Sequence, residues 1–325
     1  MKLGKKPYKP NRKDLLYRNY RGTTLPPVPV TFGHQALVKS WGMLGNDSVG
    51  DCVIAGSDHA IELWTAEGSK QAQFTDANAL SDYSAITGYN PSDPSTDQGA
   101  DIRTALQYMQ TTGMIDANGV RHKIGAFLAL DHTDFEEVLE AAYLFGDVKI
   151  GIQVPSSAQE QFSAGQPWTV VPGATIEGGH DVEIDGVDPD WIYVITWGAV
   201  QKMSREFFDT YCDEAWAILS EEMLNGQGLS PEGFNLAQLQ ADLAALSSIP
   251  PAPNYYVRVA GLTQDQARAV ADELVKDLAP SGVGVEEGQD AAGYYVQAAG
   301  ISKVLADTLM DSMENEGYRV EVGES

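Results

Sequence analysis

The sequence predicts an α+β chain of two domains, and three observations carry that expectation. Amphipathic helical runs fill most of the stretch up to residue 145, period-two apolar alternation takes over from Val148, and a strand-like heptapeptide occurs twice near the C-terminus. A length of 325 residues exceeds one ordinary compact core, and 43% apolar residues with 32 Gly and 16 Pro is normal for globular domains. No stretch reaches the roughly 18 apolar residues of a membrane span, and the N-terminus lacks the apolar core of an export signal.

The chain opens on a basic arm. Its first 21 residues hold eight Lys and Arg against Asp14 alone, so the formal charge of −25 divides into +7 on the arm and −32 on the rest. With Pro, Gly and almost no apolar periodicity, the arm is expected to be extended. It could dock on an acidic partner, on nucleic acid, or back on its own body. The acidic body itself should repel nucleic acid. Residues 25–30, Leu-Pro-Pro-Val-Pro-Val, cannot be helical and form a stiff strap that completes a segment 1–35.

A first domain is expected over 36–246. Asp47, Ser48 and Asp51 precede a run with Val53, Ile54, Ala60, Ile61 and Trp64, which places Cys52 at the start of a buried helix. Capped amphipathic helices follow at 75–87, 101–112 and 134–144. Strands are expected at 148–154, 182–187, 191–196 and 214–220, with a short capped helix at 204–211 before the last. Residues 247–253, Ser-Ser-Ile-Pro-Pro-Ala-Pro, read as a linker.

The second domain, 254–325, contains an internal repeat: Tyr255-Tyr256-Val257 returns 39 residues later as Tyr294-Tyr295-Val296. Each copy leads into an amphipathic helix (264–278 and 302–316) and then a strand (282–286 and 318–322). The order βαββαβ predicts a ferredoxin-like sandwich.

Cys52 and Cys212 are expected to be free thiols, because two cysteines make no disulfide framework. They cannot build a cysteine-rich zinc site, and the five histidines lack ligand spacing, so no metal and no cofactor is expected. His34, His59, His122 and His132 read as structural or surface residues. So does Cys212, and Trp197 reads as packing over the site.

Three segments carry chemistry together: Asn46-Asp47-Ser48-Val49-Gly50-Asp51-Cys52, Gly178-Gly179-His180-Asp181-Val182, and Ile195-Thr196-Trp197-Gly198. In their order they resemble the papain-like cysteine peptidases. That resemblance implies Cys52 as nucleophile, His180 as base and Asn46, six residues before the cysteine, as oxyanion donor. A helix N-terminus and a nearby imidazolium both favour a thiolate, which is the physical reason for this pattern.

Two departures stand out. Such enzymes usually carry Gln where this chain has Asn46, and Asn to orient the histidine where it has Ile195. Thr196 is one residue on and takes the orienting role only if a bulge or shifted register turns it toward His180. The pattern, with Thr96 to Ala100 (Thr-Asp-Gln-Gly-Ala), also resembles uncharacterised bacterial and phage-encoded proteins of the same fold. A further, weaker resemblance links the C-terminal repeat to peptidoglycan-binding repeats, although a generic interaction module fits it as well.

Two functions follow as expectations. One is a cysteine peptidase or amide hydrolase that cuts a peptide or a cell-wall peptide. The other is a phage virion protein that keeps the scaffold without turnover and contacts other virion proteins through its arm and C-terminal domain. Either would be cytoplasmic or virion-associated, with no membrane partner and nucleic acid contacted at most through the arm.

Overall fold

The computed structural model describes residues 1–11, 14–19, 27–223, 255–278, 285–290, 293–301, 309–310, 313–314 and 318–324. The expected linker at 247–253 lies outside them, as does most of the expected helix at 302–316. The chain divides into two compact units, Met1–Tyr8 with Leu15–Ser247, and Lys9–Asp14 with Ser248–Ser325. No helix among the described residues is long and apolar enough to cross a membrane.

In the first unit a short strand β1 (Phe32–Gly33) precedes the central helix α1 (Cys52–Glu67). Helices α2 (Asp76–Thr87) and α3 (Ile102–Thr111) follow, then a two-strand ladder of β2 (Met114–Ile115) and β3 (Arg121–His122). Strand β4 (Ala126–Leu130) leads into α4 (Phe135–Phe145), β5 (Val148–Pro155), α5 (Ser156–Ser163) and β6 (Ile176–Val187). The unit continues through β7 (Ile192–Thr196), β8 (Ala199–Met203), α6 (Arg205–Tyr211) and β9 (Cys212–Leu219).

Side-chain caps set several helix starts: Thr75 and Asn78 form a reciprocal capping box on α2, and Asp101, Asp134 and Ser204 accept the third helical N–H of α3, α4 and α6. The sheet runs β4-β9-β5-β6-β7-β8, with β1 added to β6, and all its pairings are antiparallel. The helical half is therefore not free of strands, because β4 closes one edge of this sheet.

Both faces of the sheet are covered. On one, Val148, Ile150, Ile152, Val182 and Ile184 pack with α4 and α6. On the other, Ala129, Trp216 and Ile218 join a core built on α1, α2 and α3. Every residue of α1 except Ala66 is buried, the condition of a helix enclosed on all sides.

In the second unit β10 (Tyr255–Leu262), α7 (Gln264–Leu278), β11 (Val285–Asp290), β12 (Gly293–Ile301) and β13 (Val320–Glu324) follow in order. Their antiparallel sheet has the order β11-β12-β10-β13. Of the strand expected at 282–286, residues 285 and 286 fall in β11 and the rest lies outside the described residues, and Val257, Val259, Val296 and Ala298 pack on Ala267, Val270 and Leu274 of α7.

Candidate active site

Cys52 is the first residue of α1, and Asp51 before it makes no side-chain cap; its carbonyl accepts the N–H groups of Ile54 and Ala55 instead. The thiol is buried, and backbone N–H groups of Asp181 and Gly4 point at its sulfur. Asp181 directly follows His180, so α1 meets β6 beside the histidine, and no hydrogen bond joins Cys52 to His180.

His180 sits within β6, which starts at Ile176 rather than after the histidine. Its Nε2 is 2.7 Å from Thr196 Oγ1, while Nδ1 is buried with no hydrogen-bond partner among the described residues. Thr196 reaches the imidazole because of register. Ile195 pairs with Glu183, so the next position along β7 falls opposite Val182, on the face that His180 shares two residues away. A register shift between Ile184 and Gly186 sets this pairing. Ile195 is turned to the other face, beside α1.

Trp197 and Gly198 form the two-residue turn between β7 and β8, with φ of +45° and +70°, as a type I′ hairpin requires at both central positions. A positive φ is costly for tryptophan, and here it lays the indole on the imidazole, ring centroids 4.5 Å apart and nearly parallel.

Asn46 donates its side-chain amide to the carbonyls of Val49, at 3.1 Å, and Lys2, at 3.3 Å. The Lys2 carbonyl belongs to the N-terminal segment, which runs through the cleft above Cys52. Lys2 N–H donates to Asn46 O at 2.9 Å, Lys5 N–H to Gly179 O at 3.0 Å, Lys6 N–H to Ala100 O at 2.9 Å, and Ala100 N–H to Gly4 O at 2.8 Å. One wall of the cleft is thus Gly178-Gly179 at the start of β6, and the other is Gly99-Ala100.

Glycine is needed where the strands touch. A Cβ on Gly4 would lie 1.8 Å from Gly50 O, and one on Gly99 would lie 2.0 Å from Gly4 O. The Thr96–Ala100 motif serves this wall: Asp97 accepts the Gly50 N–H and the Tyr83 hydroxyl, and that hydroxyl accepts the Gly99 N–H.

The electrostatics of the covered site oppose a thiolate. Burial, followed by the negative charge of Asp181, pushes the Cys52 thiol up to about 12, and burial with the nearby Lys149 charge lowers His180 to about 3. In this state both groups are neutral, against the thiolate expected from the helix start alone.

Beneath them lies a polar cluster that the sequence did not announce. Lys149 on β5 is completely buried and donates to Asp181 Oδ1 at 2.7 Å and Glu183 Oε1 at 2.6 Å. A Cβ on Gly56 of α1 would come within 2.2 Å of Asp181, so that glycine lets the helix sit on the cluster. The signal was present as Asp181, Glu183 and Asp185 alternating along a strand covered on both sides.

Two of the other histidines have structural partners. His59 bonds to Gly42 O, and His122 pairs with Glu222 at 2.8 Å. No group of three or more His, Cys, Asp or Glu that could hold a metal occurs among the described residues. Both cysteines are free and buried.

A cysteine at a helix start, a histidine strand and a Trp-Gly turn stand here in an α+β frame that has the fold of papain-like cysteine proteases. Among solved structures, xylellain, a cysteine protease from Xylella fastidiosa, is similar over 67% of this chain and 96% of its own, with 15% identity and a TM-score of 0.52. Procathepsin L 3 from the larval midgut of Tenebrio molitor aligns over 62% of this chain and 72% of its own, with 14% identity and a TM-score of 0.48. No protein-family model and no curated protein matches the chain.

Proposed function

We propose that the first unit is a cysteine peptidase or amide hydrolase acting through Cys52 and His180, described here with its cleft closed by residues 2–6. The observation that carries this reading is the hydrogen bond between His180 Nε2 and Thr196 Oγ1. With Nε2–H donating to the hydroxyl, Nδ1 is left with a free lone pair, the tautomer a general base needs.

In the reaction the Cys52 proton passes to His180 Nδ1 as sulfur attacks the carbonyl carbon of the substrate. The Asn46 amide and the Cys52 N–H donate to the oxyanion, a contact often worth about 3 kcal/mol at the transition state. Collapse breaks the C–N bond, and the imidazolium protonates the leaving amine. Water then hydrolyses the thioester, giving the acid and the free thiol. Since burial is the leading cause of both shifts, expelling residues 2–6 returns Cys52 and His180 toward their ordinary ranges and makes the ion pair accessible.

The test is the rate of Cys52 alkylation by iodoacetamide between pH 4 and 9. In a Gly4→Val chain, whose added side chain cannot fit against Gly50, the thiol is expected to titrate below the free value of about 8.5 and to move upward with His180→Ala. Asn46→Ala should leave alkylation unchanged while lowering hydrolysis about 100-fold. A thiol titrating normally whatever stands at 180 would sink the hydrolase reading.

A second reading is a catalytically idle scaffold used for assembly in a phage particle, and what favours it is the burial of Cys52 beneath Gly4 and beside Asp181. Under either reading the C-terminal unit, whose strand order and intervening α7 agree with a ferredoxin-like βαββαβ module, serves targeting or assembly.

A further inference from the structure

We infer that the cleft contains a subsite selective for a long, unbranched cationic side chain of lysine type, built from Asp213 and Glu214 over the bare backbone of Gly151 and filled here in cis by Lys5. The inference deepens the hydrolase reading and rests on it, since it names the substrate class of the same cleft.

Lys5 is the one residue of the segment 1–8 whose side chain is enclosed, with no exposed side-chain surface, while Lys2 and Lys6 on the same strand are exposed. Its ammonium is 2.8 Å from Glu214 Oε1 and 3.0 Å from Asp213 Oδ1, and it also donates to the Lys6 carbonyl at 3.2 Å. Both acids are held in place. Trp216 Nε1 donates to Glu214 Oε2 at 3.0 Å, and the Gln153 amide donates to Asp213 Oδ2.

The stem of the lysine lies on Gly151. A Cβ there would come within 2.3 Å of Lys5 Cε and 2.7 Å of Glu214 Cγ, so any other residue at 151 closes the channel. Main-chain pairing on Gly179 and Ala100 does not read the side chain of residue 5, and although the residue before it must be glycine, selection at position 5 is left to the side-chain pocket. Two carboxylates, Glu214 buried and Asp213 half-buried, facing one enclosed ammonium reject an apolar side chain, which leaves them unpaired, and an acidic one, which repels them. A diamino acid whose terminal carbon bears a carboxylate beside the ammonium is rejected for the same reason. Peptides with lysine at this position are therefore the favoured occupants, and Lys5 competes with them.

The experiment measures binding by fluorescence anisotropy to the full-length Gly4→Val chain. The probes are a labelled peptide copying residues 1–8 and its counterpart with norleucine in place of Lys5, which keeps the stem and deletes the charge. The lysine peptide is expected to bind at least about tenfold more tightly, and Asp213→Asn with Glu214→Gln should bring the two within about twofold. Equal affinities in the Gly4→Val chain, or binding of neither peptide, would overturn the subsite.

Should Gly4→Val not fold, the Lys5→Met chain keeps both cleft walls. There the lysine peptide is expected to slow Cys52 alkylation and the norleucine peptide to leave it unchanged, and equal protection or none overturns the inference. Lysine preference without cleavage removes the hydrolase reading and keeps the subsite, whereas cleavage without preference removes the subsite alone.

Discussion

Lys149→Met is expected to destabilise the first unit by about 3–5 kcal/mol, the usual result of removing one partner from a buried ion pair. The side chain is fully enclosed and holds two carboxylates that are themselves buried between α1 and the sheet. Methionine fills nearly the same volume, so the loss is electrostatic and not a cavity. Without the ammonium, Asp181 and Glu183 must take up protons or draw in water, and burial already holds both well above the ordinary carboxylate range.

Urea unfolding followed by tryptophan fluorescence reads this directly, because all six tryptophans lie between residues 41 and 216. Adding Asp181→Ala and Glu183→Met should restore more than half of the loss, since an apolar replacement of a whole buried cluster is often close to neutral. A single variant within about 0.5 kcal/mol of the parent would show that Lys149 does not bind these carboxylates in solution. The triad also bears on the chemistry. Asp181 is the charge that, after burial, holds the Cys52 thiol up, so Lys149 moderates how strongly the site resists a thiolate.

How much of this was legible in the sequence depends on the range of the forces involved. Cys52 at a helix start is a local matter: polar loop residues precede an apolar run, and the helix begins there. The histidine strand follows from period-two alternation. Thr196 could be read only as a conditional, because its face depends on which residue of β6 lies opposite Ile195, and pairing register is set by the whole sheet.

Lys149 was hidden for the opposite reason. Alternation in Val148-Lys149-Ile150 puts the lysine on the non-core face of a half-exposed strand, and only the arrival of α1 turns that face into an interior. Strand β4 was missed because Ala126-Phe127-Leu128-Ala129-Leu130 has no β-branched residue and is as apt for a helix. Lys5 was seen as one charge in a basic arm. Its partners stand 208 and 209 residues away, and no local pattern distinguishes it from Lys2 or Lys6.

Stability of the first unit is expected to fall by about 2 kcal/mol or more between pH 6.5 and 8, an unusual direction for a protein with pI near 4.3. Burial pushes Asp51 up to about 8 and Glu62 up to about 7, and raises Asp58 and Asp147 as well. Above pH 4 the unfolded chain has lost these protons while the folded one keeps them, so the folded state binds more and its stability declines as pH rises.

Buried His59 and His180 have the contrary sign, because their lowered values penalise folding as pH falls below 6.5. Their effect vanishes above that pH, where both are neutral folded or unfolded. His122, raised on balance because Glu222 and Asp116 outweigh its burial, adds to the decline, since its stabilisation is full below 6.5 and is lost as pH climbs through its raised value. The carboxylates held low, Asp93, Asp131 and Asp188 among them, matter only in strong acid.

Urea midpoints by tryptophan fluorescence at pH 5, 6.5 and 8 test the sign, and Asp51→Asn, which keeps the shape and removes the titration, should flatten the upper limb by about 1–2 kcal/mol. A midpoint that rises from pH 6.5 to 8 would mean that these carboxyls are ionised in the fold. The acidic layer around Cys52 would then repel a thiolate at neutral pH, whether or not the N-terminal segment leaves the cleft.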